Sequence, residues 1–173
     1  MGYAIKTNGT LWSWGNNGSF IGYAYADQSN NYRTPHQVGT DTWIQIASSL
    51  FSPMTDGIKT DGSLWGWGRS YNQRYFFGNG VDVYSSQTPI RIGNDVDWKQ
   101  VCLGSRATIA LKANGTRWGW GGNTNGYQLG MGVAGDVAVP TPLDTDTDWK
   151  SINMDLSYSY GDGIKVNNAI FHW

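Results

Sequence analysis

Residues 11–18, LWSWGNNG, set two indoles either side of one small residue and follow them with glycine. The pattern returns as LWGWGRS from Leu64 and as RWGWGGN from Arg117. Residues two apart on a strand share a face, so Trp12 and Trp14 point one way while Leu11, Ser13 and Gly15 point the other. The second copy opposes its pair with Leu64, Gly66 and Gly68, and the third with Arg117, Gly119 and Gly121. Two indole faces laid together would be overpacked, and two glycine faces would leave a void. The expected packing puts Trp65 and Trp67 against one neighbouring sheet, while Gly66 receives the tryptophan pair of the other.

Outward from the tryptophans, an apolar-Lys pair recurs every 53 residues: Ile5-Lys6, Ile58-Lys59, Leu111-Lys112 and Ile164-Lys165. A turn pair follows each: Asn8-Gly9, Asp61-Gly62, Asn114-Gly115 and Asn167-Asn168. The paired aromatics come next, as Trp12/Trp14, Trp65/Trp67, Trp118/Trp120 and Phe171/Trp173. Thr34-Pro35, Thr88-Pro89 and Thr141-Pro142 lie farther on, and a lone tryptophan then opens WIQIA at Trp43, WKQVC at Trp98 and WKSIN at Trp149. All ten tryptophans stand at repeat positions. That assigns them to architecture.

WKQVCLG alternates with period two, as a strand does. Asn-Gly and Asp-Gly between such runs signal hairpins, expected here as type I′ turns. Proline in the fourth segment suits a strand start or an edge. Four short strands in a repeat of about 50 residues mark a propeller blade. The strands are named A, from the lone Trp, then B, C with the Trp pair, and D. The chain then reads as BCD, ABCD, ABCD and ABC, an all-β propeller arc of about three and a half blades. The pieces fall approximately at 1–40, 41–95, 96–146 and 147–173.

Bulk composition excludes several classes of function. The formal net charge is −1, from 12 basic and 13 acidic residues, so no basic excess is present to neutralise a nucleic-acid backbone. Aromatic residues make up 14%, which separates the chain from disordered compositions. No apolar run reaches the ~20 residues of a membrane span, and MGYAIKTNGT is no secretory signal. A cytoplasmic or virion location is expected. Cys102 is the only cysteine, so no intrachain disulfide forms.

The repeats resemble the regulator of chromosome condensation family. The resemblance rests on IKTNGTLWSWGNN, IKTDGSLWGWG and LKANGTRWGWGGNTNGYQLGMG, on Thr-Pro with Val38-Gly39 or Ile92-Gly93 after it, and on the W-x-x-[IV] opener. Gly126, Gln128, Leu129 and Gly130 stand where the family has Gly-Gln-Leu-Gly; Phe20-Ile21-Gly22 and Phe76-Phe77-Gly78 are degraded forms. The Trp-x-Trp-Gly spelling resembles the bacterial and phage branch. The resemblance implies a propeller fold, and function only weakly. The best-known member is an exchange factor for a small GTPase, but no residue here carries that role over. The family's frequent histidine before strand B is missing.

His36 and His172 stand apart, so no histidine-based metal site or triad exists, and no catalytic residue or cofactor is expected. Asp144, Asp146 and Asp148 alternate as hard-cation ligands do, but they lack a glycine turn and a distal Glu, so a solvated loop is the expectation. Asp56 and Asp162 share one repeat position and are expected to bond backbone near the propeller axis. The C–D loops carry the expected binding surface: Tyr23, Tyr25, Tyr32 and Arg33, then Tyr71, Arg74, Tyr75 and Tyr84.

An unclosed arc ends in unlike but complementary faces, so head-to-tail contact is the natural association. The reading is a non-enzymatic interaction or structural module, completed by copies of itself or by other subunits of an assembly, with a phage virion or bacterial assembly as its setting. The alternatives are a lectin-like or receptor-binding module using the tyrosine loops, and a GTPase regulator.

Overall fold

The chain's computed structural model describes residues 1–15, 21–22, 32–49, 53–69, 77–81, 83–124, 128–155 and 160–173. These form antiparallel strands, with no helix among the described residues. β1 (Gly2–Ile5), β2 (Thr10–Gly15) and the first half of β3 (Tyr32–Ser48) make the first blade. The second half of β3 opens the second blade, which continues through β4 (Met54–Lys59), β5 (Leu64–Arg69) and β6 (Ser85–Ile92). β7 (Trp98–Leu103), β8 (Ala107–Lys112), β9 (Arg117–Gly121) and β10 (Val137–Pro142) form the third. β11 (Trp149–Met154), β12 (Gly161–Lys165) and β13 (Ile170–His172) form the fourth. The expected strand order of a partial propeller is present. Strand D of the first blade and strand A of the second are one 17-residue strand.

The B–C hairpins differ from the type I′ expectation. Gly9, Gly62 and Gly115 have φ near +80°, but the Asn or Asp before each does not have positive φ. Gly9 N–H donates to the Lys6 carbonyl and Lys6 N–H to the Thr10 carbonyl, a three-residue loop with a glycine bulge. The side-chain oxygen of Asn8 accepts from the Thr10 N–H and hydroxyl. Thr10 in turn accepts the Trp12 indole N–H at 3.0 Å. Asp61-Ser63-Trp65 and Asn114-Thr116-Trp118 repeat this relay with indole distances of 2.8 Å. The fourth blade has Ala169 and Phe171 instead: the acceptor and the donor are lost together, so neither is left buried and unpaired.

Strand A is not a plain alternating strand. Its register slips between Trp43 and Gln45, Trp98 and Gln100, and Trp149 and Ser151. The bulge turns the third residue away from the face of the tryptophan. Gln45 is thereby aimed at the next blade, where it donates to the Val101 carbonyl and accepts the Val101 N–H. Gln100 does the same to Ile152. These side-chain amides join successive inner strands that share no backbone ladder.

The core consists of three junctions. Trp67 packs with Leu11, Val38 and Trp43 against the first blade. Trp120 lies with Leu64, Phe77 and Ile92 of the second. Trp173 packs with Leu129, Leu143 and Ile109 of the third. Each indole pair thus faces the preceding blade, as expected. The small residue between the tryptophans, however, does not receive the neighbour's pair. A Cβ on Gly66 would meet Asp56 Oδ1 at 2.7 Å, Ile92 at 3.1 Å and Phe77 at 3.6 Å, and one on Gly119 would meet Leu129 and Leu143. Apart from the Asp56 carboxyl these are apolar residues of the same blade, which plug the gap. The neighbour's ring lies on the glycine after the plug: a Cβ on Gly78 would be 2.5 Å from Trp120 and one on Gly130 2.8 Å from Trp173.

Candidate functional site at the two ends of the arc

The repeated lysine sits at the outer end of strand B, directly opposite the lone tryptophan: Trp43 pairs with Lys59, Trp98 with Lys112 and Trp149 with Lys165. Its ammonium lies over indole rings, Lys59 at 3.5 Å from Trp65 and Lys112 at 4.3 Å from Trp118. Carboxylates just before the lone tryptophan hold it there. Asp41 reaches Lys59 at 2.8 Å, Asp95 and Asp97 reach Lys112, and Asp146 and Asp148 reach Lys165 at 2.5 and 3.0 Å. These two partners push the Lys165 ammonium above its ordinary range.

The acidic run is therefore not the solvated loop expected. Asp146 and Asp148 serve Lys165, and Asp144 serves Arg117. Among the described residues no group of three or more His, Cys, Asp or Glu is placed to hold a metal ion. No helix of the described residues is long and apolar enough to cross a membrane. The missed signal was the aspartate one to three residues before every lone tryptophan, in step with a lysine 14 to 16 residues after it.

Arg117 occupies the repeat position of Leu11 and Leu64 and is buried at the third junction. Its guanidinium bonds Asp144 at 2.9 Å through two nitrogens, and lies 4.0 Å from the Trp173 ring and 4.9 Å from the Trp149 ring. Burial draws its pKa below the usual arginine range, against the opposing pull of Asp144. Asp56 is fully buried in β4. Burial pushes its carboxyl up to about 8, opposed by the hydroxyl that Thr108 donates from the next blade. The expected backbone bond is replaced by this side-chain one. Asp162, at the same repeat position, is exposed and hydrogen-bonds His172. Burial raises the Cys102 thiol to about 11, and the thiol donates to the Ile152 carbonyl.

The two ends of the arc are unlike. The first blade turns Trp12 and Trp14 outward, half-buried, beside β1, the first strand in the sheet order of the described residues. The fourth blade turns out the face on which a following blade would sit: a hollow of about 310 Å³ lined by Ile152, Gly163, Ile164, Ile170, Asp162 and His172. Ile170 is 65% exposed there, whereas Leu11 and Leu64 at its repeat position are 0% exposed and Arg117 5%.

Of the proposed binding residues, Tyr23, Tyr25, Tyr71, Arg74 and Tyr75 lie outside the described residues, as does the side chain of Tyr32. Arg33 is exposed on β3, and Tyr84 is 54% exposed just before β6.

No family model matches the chain. The Arabidopsis thaliana ultraviolet-B receptor UVR8 is 27% identical over 77% of this chain and 30% of its own length. The RCC2 homologue of Xenopus laevis is 34% identical over 66% of the chain and 22% of its own length, and that of Danio rerio 29% over 67% and 24%. Yeast RCC1 (Prp20), solved bound to Kap60, superposes with a TM-score of 0.76 at 19% identity over 99% of this chain and 40% of that one.

The repeats are similar to those of the RCC1-like family.

The same repeat fold is found in human WBSCR16, with a TM-score of 0.73 at 19% identity, covering 99% of this chain and 44% of that one. The chain spans less than a third of the length of the curated condensation-repeat relatives it matches.

Proposed function

We propose that this condensation-repeat arc is a non-enzymatic protein-interaction module, completed from outside these 173 residues by propeller surface, with head-to-tail stacking of copies as the completion. The observation that carries it is the mismatch between position and burial at Ile170. A site that is apolar in three copies and arginine in one, and buried wherever a blade follows, is exposed only where none does. At the other end, Trp12 and Trp14 offer the ring face that each interior junction seats on such a surface. The two faces are complementary and unlike, so like copies meet heterologously.

Related propellers bind proteins. Prp20p of Saccharomyces cerevisiae, which superposes with a TM-score of 0.71 at 20% identity over 88% of this chain and 39% of that one, was studied for its binding to Gsp1p and histones, and yeast RCC1 was crystallised with Kap60. Those partners belong to those proteins. The finer setting, a phage virion or bacterial assembly, is supported by the Trp-x-Trp-Gly spelling of the repeats alone.

Light scattering and native mass spectrometry over a concentration series test the stacking. The expected result is a discrete assembly that Ile170→Glu returns to monomer without loss of the folded signal. A wild-type chain that stays monomeric up to its solubility limit refutes it.

A further inference from the structure

We propose that the contact between the second and third blades is a proton-operated joint, closed while the Asp56 carboxyl is neutral and opened when it ionises. The joint lies inside the arc and does not depend on what completes the arc.

The three junctions differ at one place. On strand B, the residue paired with the small residue between the tryptophans points to the following blade: Tyr3 opposite Ser13, Asp56 opposite Gly66 and Ile109 opposite Gly119. The first junction joins a phenol to a hydroxyl there. Thr55 of the second blade donates to the Tyr3 oxygen at 3.1 Å, and the Trp67 indole does so at 3.2 Å. The third junction has Ile109 and Gly161 at the two corresponding positions, neither of them ionisable. The second sets an acid there, Asp56, against Thr108.

Asp56 has little to hold it as an anion. It is fully buried, on the same face of β4 as Met54 and Ile58, which belong to the apolar cluster that Trp120 enters. Its Oδ2 accepts the Thr108 hydroxyl at 3.2 Å. Its Oδ1 lies over Gly66, beside Ile92 and Phe77, and has no hydrogen-bond partner among the described residues.

The elements packed against β4 bring no cation to it. Lys59, on β4 itself, is held by Asp41 of β3, and Lys112 of β8 by Asp95 and Asp97. Arg69 of β5 and Lys99 of β7 are exposed. The Cys102 thiol of β7 donates to the Ile152 carbonyl of the fourth blade, and the Tyr3 phenol of β1 lies with Thr55 on the other face of β4. Burial thus pushes the Asp56 carboxyl up to about 8, against the single Thr108 hydrogen bond.

A carboxylate with one donor and no cation is costly inside an apolar junction, and water relieves it. One interface of a repeat fold can part while its blades stay folded, because stability is a sum of blades and nearest-neighbour contacts. Parting this one uncovers Trp120 on one side and Phe77 and Ile92 on the other. The closed joint holds a proton that the open one releases. Closure is therefore strongest below about pH 4, weakens as pH rises, and is at its lowest above about pH 8.

Two backbone amides read neighbouring joints separately. Val101 N–H donates to Gln45 across this joint, and Ile152 N–H donates to Gln100 across the next. Native-state hydrogen exchange of both is followed by NMR on the whole chain from about pH 5 to 8, corrected for the intrinsic pH dependence of exchange. Protection of Val101 should fall about ten-fold per pH unit, roughly a thousand-fold in all, while that of Ile152 changes less than about three-fold. Asp56→Asn should abolish the fall. So should Asp56→Ile, which installs the residue of the third blade, and either variant that folds is enough. Parallel falls at Val101 and Ile152, constant protection at Val101, or a fall that persists in the variant overturns the proposal.

Discussion

The interior junctions and the free ends of this arc are built from nearly the same residues in different surroundings. Trp67 and Trp120 are 0% exposed, while Trp14, at the same repeat position, is only half-buried. Ile58 and Leu111 are fully buried, while Ile164 of the fourth blade is exposed. The sheets themselves hardly differ: Asp56, Gly57 and Ile58 pair with Gly66, Trp65 and Leu64 as Asp162, Gly163 and Ile164 pair with His172, Phe171 and Ile170. The hydrogen-bond ladder therefore makes a blade, but the neighbouring blade makes its core. Stability then follows the one-dimensional logic of repeat proteins, a sum of blades and nearest-neighbour interfaces.

The sharpest way to break this comparison is to truncate one ring on each side of it. Trp67→Ala should cost about 3–5 kcal/mol in urea unfolding, the range for a buried aromatic, while Trp14→Ala should cost about 1 kcal/mol or less. Equal losses would mean that each blade buries its own tryptophans.

A second test uses the position shared by Arg117 and Ile170. Arg117→Ala should destabilise by about 3 kcal/mol, because it leaves Asp144 without its cation beside the Trp149 ring. Arg117→Leu combined with Asp144→Asn, which removes both charges and keeps an acceptor for the Trp149 indole, should fall within about 1 kcal/mol of wild type. Ile170→Ala, exposed, should change stability by no more than about 0.5 kcal/mol in the monomer. Denaturant midpoints at constant slope check all three.

The third test reads pH. The Asp56 carboxyl is raised from 3.8 to about 8 in the fold, so the folded chain holds a proton that the unfolded chain has released. The stability this gives is fully present below about pH 4, declines as pH rises, and is gone above pH 8. The slope is at most about 1.4 kcal/mol per pH unit. Asp56→Asn keeps an acceptor for the Thr108 hydroxyl and should flatten the profile between those limits. Melting temperatures of the two proteins from pH 4 to 8 measure the difference, and parallel profiles would show that Asp56 is not the group responsible.

Much of the architecture was legible because a period of 53 exposes each constraint three or four times. The indole pairs gave away strand C, and the lone tryptophans strand A. What misled was local alternation. WKQVC reads as a regular strand, yet a bulge after Trp98 turns Gln100 to the next blade, and only the partner groups on Ile152 explain its amide. Asn-Gly reads as a type I′ turn, yet positive φ falls on the glycine alone. Asp144, Asp146 and Asp148 read as an isolated acidic loop, because their partners Arg117 and Lys165 lie 17 to 27 residues away. The two ends could be anticipated as complementary, because paired rings and small residues recur in the copies.

By itself the amino-acid sequence determined the repeat, the strand order and the pairing of rings with small residues, because these depend on contacts within about 50 positions that recur in register. Only the tertiary structure decided which glycine each ring rests on and which backbone amide of the next blade each strand-A glutamine clamps. Those are properties of adjacency between blades, set by the twist and spacing of whole sheets, and no single repeat contains them.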